Sequence, residues 1–239
     1  MRRFSATNIL TLVMFIVFGL EIAFQQRLEE IFSTFGFSVT AFLSGNILCM
    51  FTCIFLHGSF EHLFFNSLGL FFFGNILEEE IGPARTLAIF FFSAIFGELV
   101  LVLLAFMGLY PANIPTIGAS AGIFGLIGAA MILRPFALVS FPYILPLPIV
   151  VIAVLYIASN ILLFLSQVLY AQQSEIAYAA HIAGAFCGIV IGMKLTSHNK
   201  AMIAMLILLV VASLPLILSL LSKIEMLNYA SLLSGVFGK

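Results

Sequence analysis

Seven residues of this chain are strongly polar yet lie in apolar sequence: His57, His62, Asn66, Glu98, Ser120, Asn160 and His181. A serine with a histidine is a nucleophile with its base, and acyl transfer is the chemistry such a pair performs. A nearby amide or second imidazole can supply donors to the oxyanion that forms when a carbonyl is attacked. The chain has no Asp, which excludes mechanisms built on paired aspartates, and no His-Glu-x-x-His pattern for zinc. Three scattered cysteines, Cys49, Cys53 and Cys187, give neither a disulfide framework nor a zinc spacing. No metal and no cofactor is expected.

The elements that must hold these residues are membrane helices. Apolar residues make up 63% of the 239 and charged residues only 8%, whereas soluble domains carry about 25% charged. A net charge of −1 gives no footing for nucleic acid or for polybasic attachment to lipid. A crossing helix needs about 20 predominantly apolar residues. Stretches of that kind run at 8–26, 60–77, 84–108, 117–134, 146–168, 177–195 and 201–222. The fold class expected is therefore an all-α polytopic membrane protein. Its first helix reads as a retained signal anchor, since Gln25, Gln26 and Arg27 follow it in place of a small-residue cleavage site. Basic residues set the orientation. Arg2, Arg3, Arg85, Arg134, Lys194 and Lys200 fall on one side and Arg27, Lys223 and Lys239 on the other, which places the N-terminus inside. The short termini suggest a prokaryotic plasma membrane. Residues 27–59 form a long outer connection rich in Phe32, Phe35, Phe37, Phe42, Leu43, Phe51, Phe55 and Leu56, expected to lie partly in the membrane interface. Residues 141–148 are proline-broken and read as a connection.

Ionisable and strongly polar groups inside a bilayer are expensive, so their depths matter. Ser120 lies fourteen residues before Arg134, about 21 Å above the inner boundary at 1.5 Å per residue. A hydrocarbon core of about 30 Å leaves it roughly 9 Å below the outer surface. His181 stands about 20 Å above Lys194, and Asn66 and His62 about 18 and 24 Å above Glu78. Four polar groups from three helices thus converge on one layer near the outer face.

Glycines indicate how those helices meet. Gly184, Gly188 and Gly192 follow His181 at +3, +7 and +11, and Gly118, Gly122, Gly125 and Ala129 form a comparable stripe on the fourth helix. Small-residue stripes let backbones approach closely, and if these two face each other Ser120 and His181 come within reach. Each feature has a bland counterpart. Gly118-Ala-Ser120-Ala-Gly122 is both G-x-S-x-G and the packing pattern G-x-x-x-G, a membrane histidine can be a hydrogen-bonded structural residue, and His62 with Asn66 can staple a loop. Agreement in depth is what favours a site.

At these residues the sequence resembles the rhomboid intramembrane serine proteases. The resemblance rests on His57 and His62-Leu-Phe-Phe-Asn66 on the second helix, Gly118-Ala-Ser120-Ala-Gly122 opening the fourth, and Ala180-His181-Ile-Ala-Gly184 with Gly188 on the sixth. It implies a six-helix core over 1–196 and one added C-terminal helix with a short tail in 197–239. It implies a dyad of Ser120 as nucleophile and His181 as base and acid, with His62 and Asn66 at oxyanion-stabilising positions. Gly118 matches the glycine that lets substrate backbone approach the serine, and Gly122, Gly184 and Gly188 pack helices. The implied partners are transmembrane protein substrates and the lipid bilayer. Three departures stand out. Phe124 replaces the tyrosine many members carry beside the histidine, Leu48-Cys49 replaces a Trp-Arg pair, and Glu78-Glu79-Glu80 with Gly82 and Arg85 matches the inner-loop charge pattern only in part.

Other polar residues read as structural. Glu98 is expected protonated and hydrogen-bonded to a neighbouring helix rather than a proton carrier. Glu21 is expected solvated near the outer interface, Asn160 in an interhelical hydrogen bond, and His198 in a solvated inner cluster. Phe71–Phe73 and Phe90–Phe92 are expected to face lipid. Two other functions compete with the protease: a catalytically silent rhomboid-like protein that binds membrane clients, and a channel or transporter. The second predicts polar residues continuing inward, whereas the inner halves of helices four and six are almost wholly apolar.

Overall fold

A computed structural model describes residues 5–140, 146–170 and 176–196. The expected seventh helix at 201–222, and His198, lie outside the described residues. In lipid every backbone polar group must be satisfied within the protein, and this chain does so almost entirely with helices. Helix α1 (Ala6–Ala23) starts at Ser5, whose hydroxyl accepts from the Asn8 N–H. The outer connection folds into three short helices, α2 (Leu28–Phe35), α3 (Val39–Leu43) and α4 (Cys49–Thr52), and 3₁₀ turns at Gln25–Arg27 and Cys53–Phe55. The second crossing is α5 (Phe60–Gly69), a π turn at Leu70–Gly74, and α6 (Asn75–Ile81). Gly82, at φ +82°, ends it, and Pro83 opens α7 (Pro83–Phe106). Then come α8 (Ser120–Leu133), a small antiparallel pair β1 (Leu138–Val139) and β2 (Leu147–Pro148), α9 (Ile149–Tyr170) and α10 (Tyr178–Leu195).

Four of these helices, α1, α7, α9 and α10, are individually long and apolar enough to cross a membrane. The first six expected spans all fall on helices, so the protein is an all-α polytopic membrane protein. Two spans differ in detail. The second is interrupted by the π turn, where Gly74 lies so close to α1 that a Cβ would meet the Thr7 side chain at 2.7 Å. The fourth begins at Ser120 rather than 117, because Gly118 leaves helical geometry at φ +113°.

Among the described residues, helix α8 is the central element. Eleven of its fourteen residues are buried, which at about 1.5 Å per residue makes it a 21 Å rod enclosed by longer ones. Its contact with α10 is a backbone seam: Gly184 lies against the Ala121 carbonyl, Gly188 against Gly125, and Gly192 against Ala129. The expected stripe is therefore corrected at two positions, the first being Gly118, which precedes α8 and lies against the His62 ring. Gly122 faces α7 instead, where a Cβ would strike the Phe90 ring at 2.7 Å. The phenylalanine runs are corrected too. Phe71 and Phe92 are exposed, whereas Phe73 and Phe90 are buried among helices.

The outer connection is tied to the loop before α8. Phe37 and Thr116 exchange backbone hydrogen bonds at 2.9 and 2.6 Å, the Thr40 N–H donates to the Ala112 carbonyl, and the Gly118 N–H donates to the Cys53 carbonyl at 2.9 Å. Phe37 and Leu56 are buried, while Phe35, Leu43 and Phe51 are exposed. At the opposite end, Glu78 accepts from the Ala6 and Thr7 N–H groups at the start of α1. An Arg134–Glu80 pair at 2.9 Å is half-exposed and adds little to stability.

Candidate functional site

The site is assembled around the start of α8. A residue at φ +113° is strained unless it is glycine, and Gly118 has a second reason to lack a side chain. A Cβ there would fall 2.6 Å from His62 Cε1 and Nε2 and 3.4 Å from Asn66 Nδ2. The His62 ring and the Asn66 amide, one turn apart on α5, therefore lie directly on the Gly118 backbone, two residues before Ser120. The first-turn N–H groups of Ser120 and Ala121 have no partner within the helix. Asn66 is buried, and its Nδ2 has no hydrogen-bond partner among the described residues. An amide donor left so is costly unless something else receives its hydrogen bond.

The α8–α10 seam brings Ser120 and His181 together, with Ser120 Oγ 2.7 Å from His181 Nε2. The Phe124 ring lies parallel to the imidazole at 7° and a centroid distance of 4.6 Å, so stacking is kept without a tyrosine. On the far edge of the ring, His181 Nδ1 lies 2.8 Å from Asn160 Oδ1 on α9. The expected interhelical bond of Asn160 is thus present, and its partner is the histidine itself. Depth alone signals this residue: Asn160 is eleven residues above Ile149, about 16 Å, within a turn of His181.

Two expectations about acidic residues are corrected. Glu21 is not solvated but buried at 3% exposure, accepting from the His57 backbone N–H at 3.1 Å. The outer connection folds down over the end of α1, a tertiary event that leaves no mark on α1 itself. Glu98 is buried and hydrogen-bonded, but to the outer connection rather than to a neighbouring spanning helix: the Cys53 thiol donates to its Oε1 at 2.7 Å. Burial, reinforced by Glu98, pushes the Cys53 thiol well above its ordinary range and keeps it a donor. Since the Cys53 carbonyl also holds Gly118, Glu98 supports the site through one intermediate residue.

His57 is fully buried, with Nδ1 donating to the Phe55 carbonyl at 3.1 Å and its ring edge-on to His62 at 5.0 Å. Burial, with His62 adding to it, lowers its pKa to about 4, so it is neutral at physiological pH and acts as packing behind His62. All the candidate residues are therefore gathered: Ser120 and His181 in direct contact, and His62 and Asn66 against Gly118.

Residues 44–198 match the family model described as Rhomboid domain. The chain is 42% identical over 76 residues to "Inactive RHOMBOID-like protein 8" of Arabidopsis thaliana, a match covering 32% of this chain and 20% of that protein. It is 40% identical over 80 residues to "Putative rhomboid protease YdcA" of Bacillus subtilis (strain 168), covering 32% and 36%. Against "RHOMBOID-like protein 12, mitochondrial" of Arabidopsis thaliana it is 26% identical over 165 residues, covering 64% and 48%. The chain thus spans less than half the length of these curated relatives.

Proposed function

The chain belongs to the rhomboid family, and from that premise we propose that it is an intramembrane serine endopeptidase cutting transmembrane segments near their outer ends. The observation that carries the proposal is the 2.7 Å contact between Ser120 Oγ and His181 Nε2. In the first half-reaction, Ser120 Oγ attacks the scissile carbonyl carbon as its proton passes to His181 Nε2. The carbonyl π electrons move onto oxygen, where Asn66 Nδ2, His62 and the Ser120 N–H are the available donors. Collapse of the tetrahedral intermediate breaks the C–N bond. The proton on Nε2 goes to the departing amine, leaving an acyl-serine. Water then attacks the ester with His181 again as base, releasing the acid and restoring the serine.

Residues 1–196 form the proposed catalytic domain. The excess of basic residues at one side supports an N-terminus inside and a cut near the outer face. The family resemblance implies a preference for a small residue beside the scissile bond and for a substrate helix that unwinds readily.

One relative is named inactive, which supports a second reading as a client-binding protein without catalysis. Against it stands the retention of both Ser120 and His181 in hydrogen-bonded contact. Purified protein in proteoliposomes, given transmembrane substrates with and without helix-breaking residues near the outer end, separates the two. A protease releases paired fragments cut at one mapped bond. A silent protein captures the same segments intact.

Asn66 gives the oxyanion assignment its own test. Loss of one such donor typically lowers kcat by about 10²- to 10³-fold. Asn66→Ala is expected to show that loss with KM nearly unchanged, measured by initial rates, and with thermal unfolding close to the parent. A variant of parental kcat would remove Asn66 from the oxyanion site.

A further inference from the structure

Resting on the proposed protease reading, we propose that Asn160 is a positioning residue that fixes the tautomer of His181, making the site a Ser120–His181–Asn160 relay of hydrogen bonds. The geometry leaves one consistent assignment of protons. Asn160 Nδ2 lies 2.9 Å from the Tyr156 carbonyl oxygen on its own helix. A carbonyl only accepts, so the amide nitrogen must be the atom facing it, and the amide orientation is settled by its partner. Asn160 then presents Oδ1, also only an acceptor, to His181 Nδ1 at 2.8 Å. The proton must sit on Nδ1, which leaves Nε2 with its lone pair directed at Ser120 Oγ 2.7 Å away. That is the form a general base requires. When Nε2 takes the serine proton, the Nδ1–H remains bonded to a carbonyl dipole, which favours the imidazolium over one with no acceptor.

An amide suits this place better than a carboxylate would. A charged orienting group inside a membrane carries a heavy desolvation penalty, whereas an asparagine brings the acceptor without the charge. The same arrangement of base and amide occurs in cysteine proteases, where an asparagine orients the histidine. Asn160 is also the outermost buried residue of α9: residues 161–170 contain none. The bond to His181 thus joins α9 to α10 at the level of the site.

The test uses the full chain in detergent micelles and three variants. Asn160→Leu keeps the volume and helix preference but removes the acceptor. Asn160→Asp keeps an acceptor, and Asn160→Ala removes the side chain. Cleavage kinetics and nitrogen-15 spectra of histidine-labelled protein are read together, with the His181 signals identified from His181→Ala. Wild type is expected to show His181 protonated at Nδ1 alone. In Asn160→Leu and Asn160→Ala the tautomers mix, and kcat falls about 10- to 100-fold while KM stays within about twofold. Asn160→Asp is expected to recover most of the rate and the single tautomer. An Asn160→Leu protein with parental kcat overturns the proposal. So does one that loses rate while His181 stays protonated only at Nδ1, since that loss is merely structural. A wild type that neither cleaves nor is labelled at Ser120 overturns the protease reading, and the spectra still decide the tautomer.

Discussion

Alanine at Ser120 is expected to abolish the proposed peptide-bond cleavage, and alanine at His181 to lower kcat by about 10⁴- to 10⁶-fold. Both follow from the 2.7 Å contact between Oγ and Nε2, because without the base the hydroxyl is a weak nucleophile and without the hydroxyl there is nothing to acylate. The two residues act as one unit, so the double variant is expected to be no slower than the worse single one. The comparison is made on initial rates of substrate cleavage in proteoliposomes, with thermal unfolding confirming that each variant is folded. Seams and loops, not this hydrogen bond, hold the helices together, so unfolding temperatures stay within a few degrees of the parent. Double-variant rates far below both singles would mean that the two groups contribute separately.

Valine at Gly188 is expected to disable the protein by a different route. A Cβ at this position would overlap the Gly125 carbonyl and lie 2.6 Å from its carbonyl carbon and 2.8 Å from its Cα. All three atoms are backbone of another helix, so no side chain can move aside. The α8 and α10 backbones must separate by roughly 1 Å, and a misplacement of about that size between reacting groups costs on the order of 10²-fold in rate. Overpacking adds about 1–3 kcal/mol of lost stability. Gly188→Val is therefore expected to show a lowered unfolding temperature and at least a 10²-fold loss of cleavage. Gly19 is the control, because nothing lies within 4 Å of a Cβ there. Gly19→Ala should leave both quantities unchanged or raise stability by up to about 1 kcal/mol. Unfolding of both variants and the parent in one assay checks the contrast.

Residue types and spacing made the centre of this molecule readable. Ser120, His181, His62 and Asn66 fall at one depth because a straight helix converts residue number into height, and the structure gathers them there. The glycines after His181 identified the close face of α10 because that face repeats at helical spacing. The partner face on α8 was harder. A helix buried on almost every side has small residues on several faces, and no polar side sets its phase, so Gly122 could not be distinguished from Gly125. Phe90 was misjudged for the same reason: an apolar residue facing lipid and one facing a neighbouring helix look alike in sequence. Glu21 looked solvated because its burial depends on the outer connection folding down to place the His57 N–H above it. For Asn160 the sequence predicts an interhelical hydrogen bond, but its choice of His181 depends on the rotation of α9, which a helix apolar all round does not encode.

The central claim is that Ser120 is a nucleophile activated by His181. The most direct measurement is labelling of the purified full chain with a fluorophosphonate, followed by peptide mass spectrometry of wild type and His181→Ala. A single phosphonyl adduct on Ser120 of wild type, absent from folded His181→Ala, is the expected result. Folded wild type without an adduct, an adduct on a different serine, or undiminished labelling of His181→Ala would contradict it.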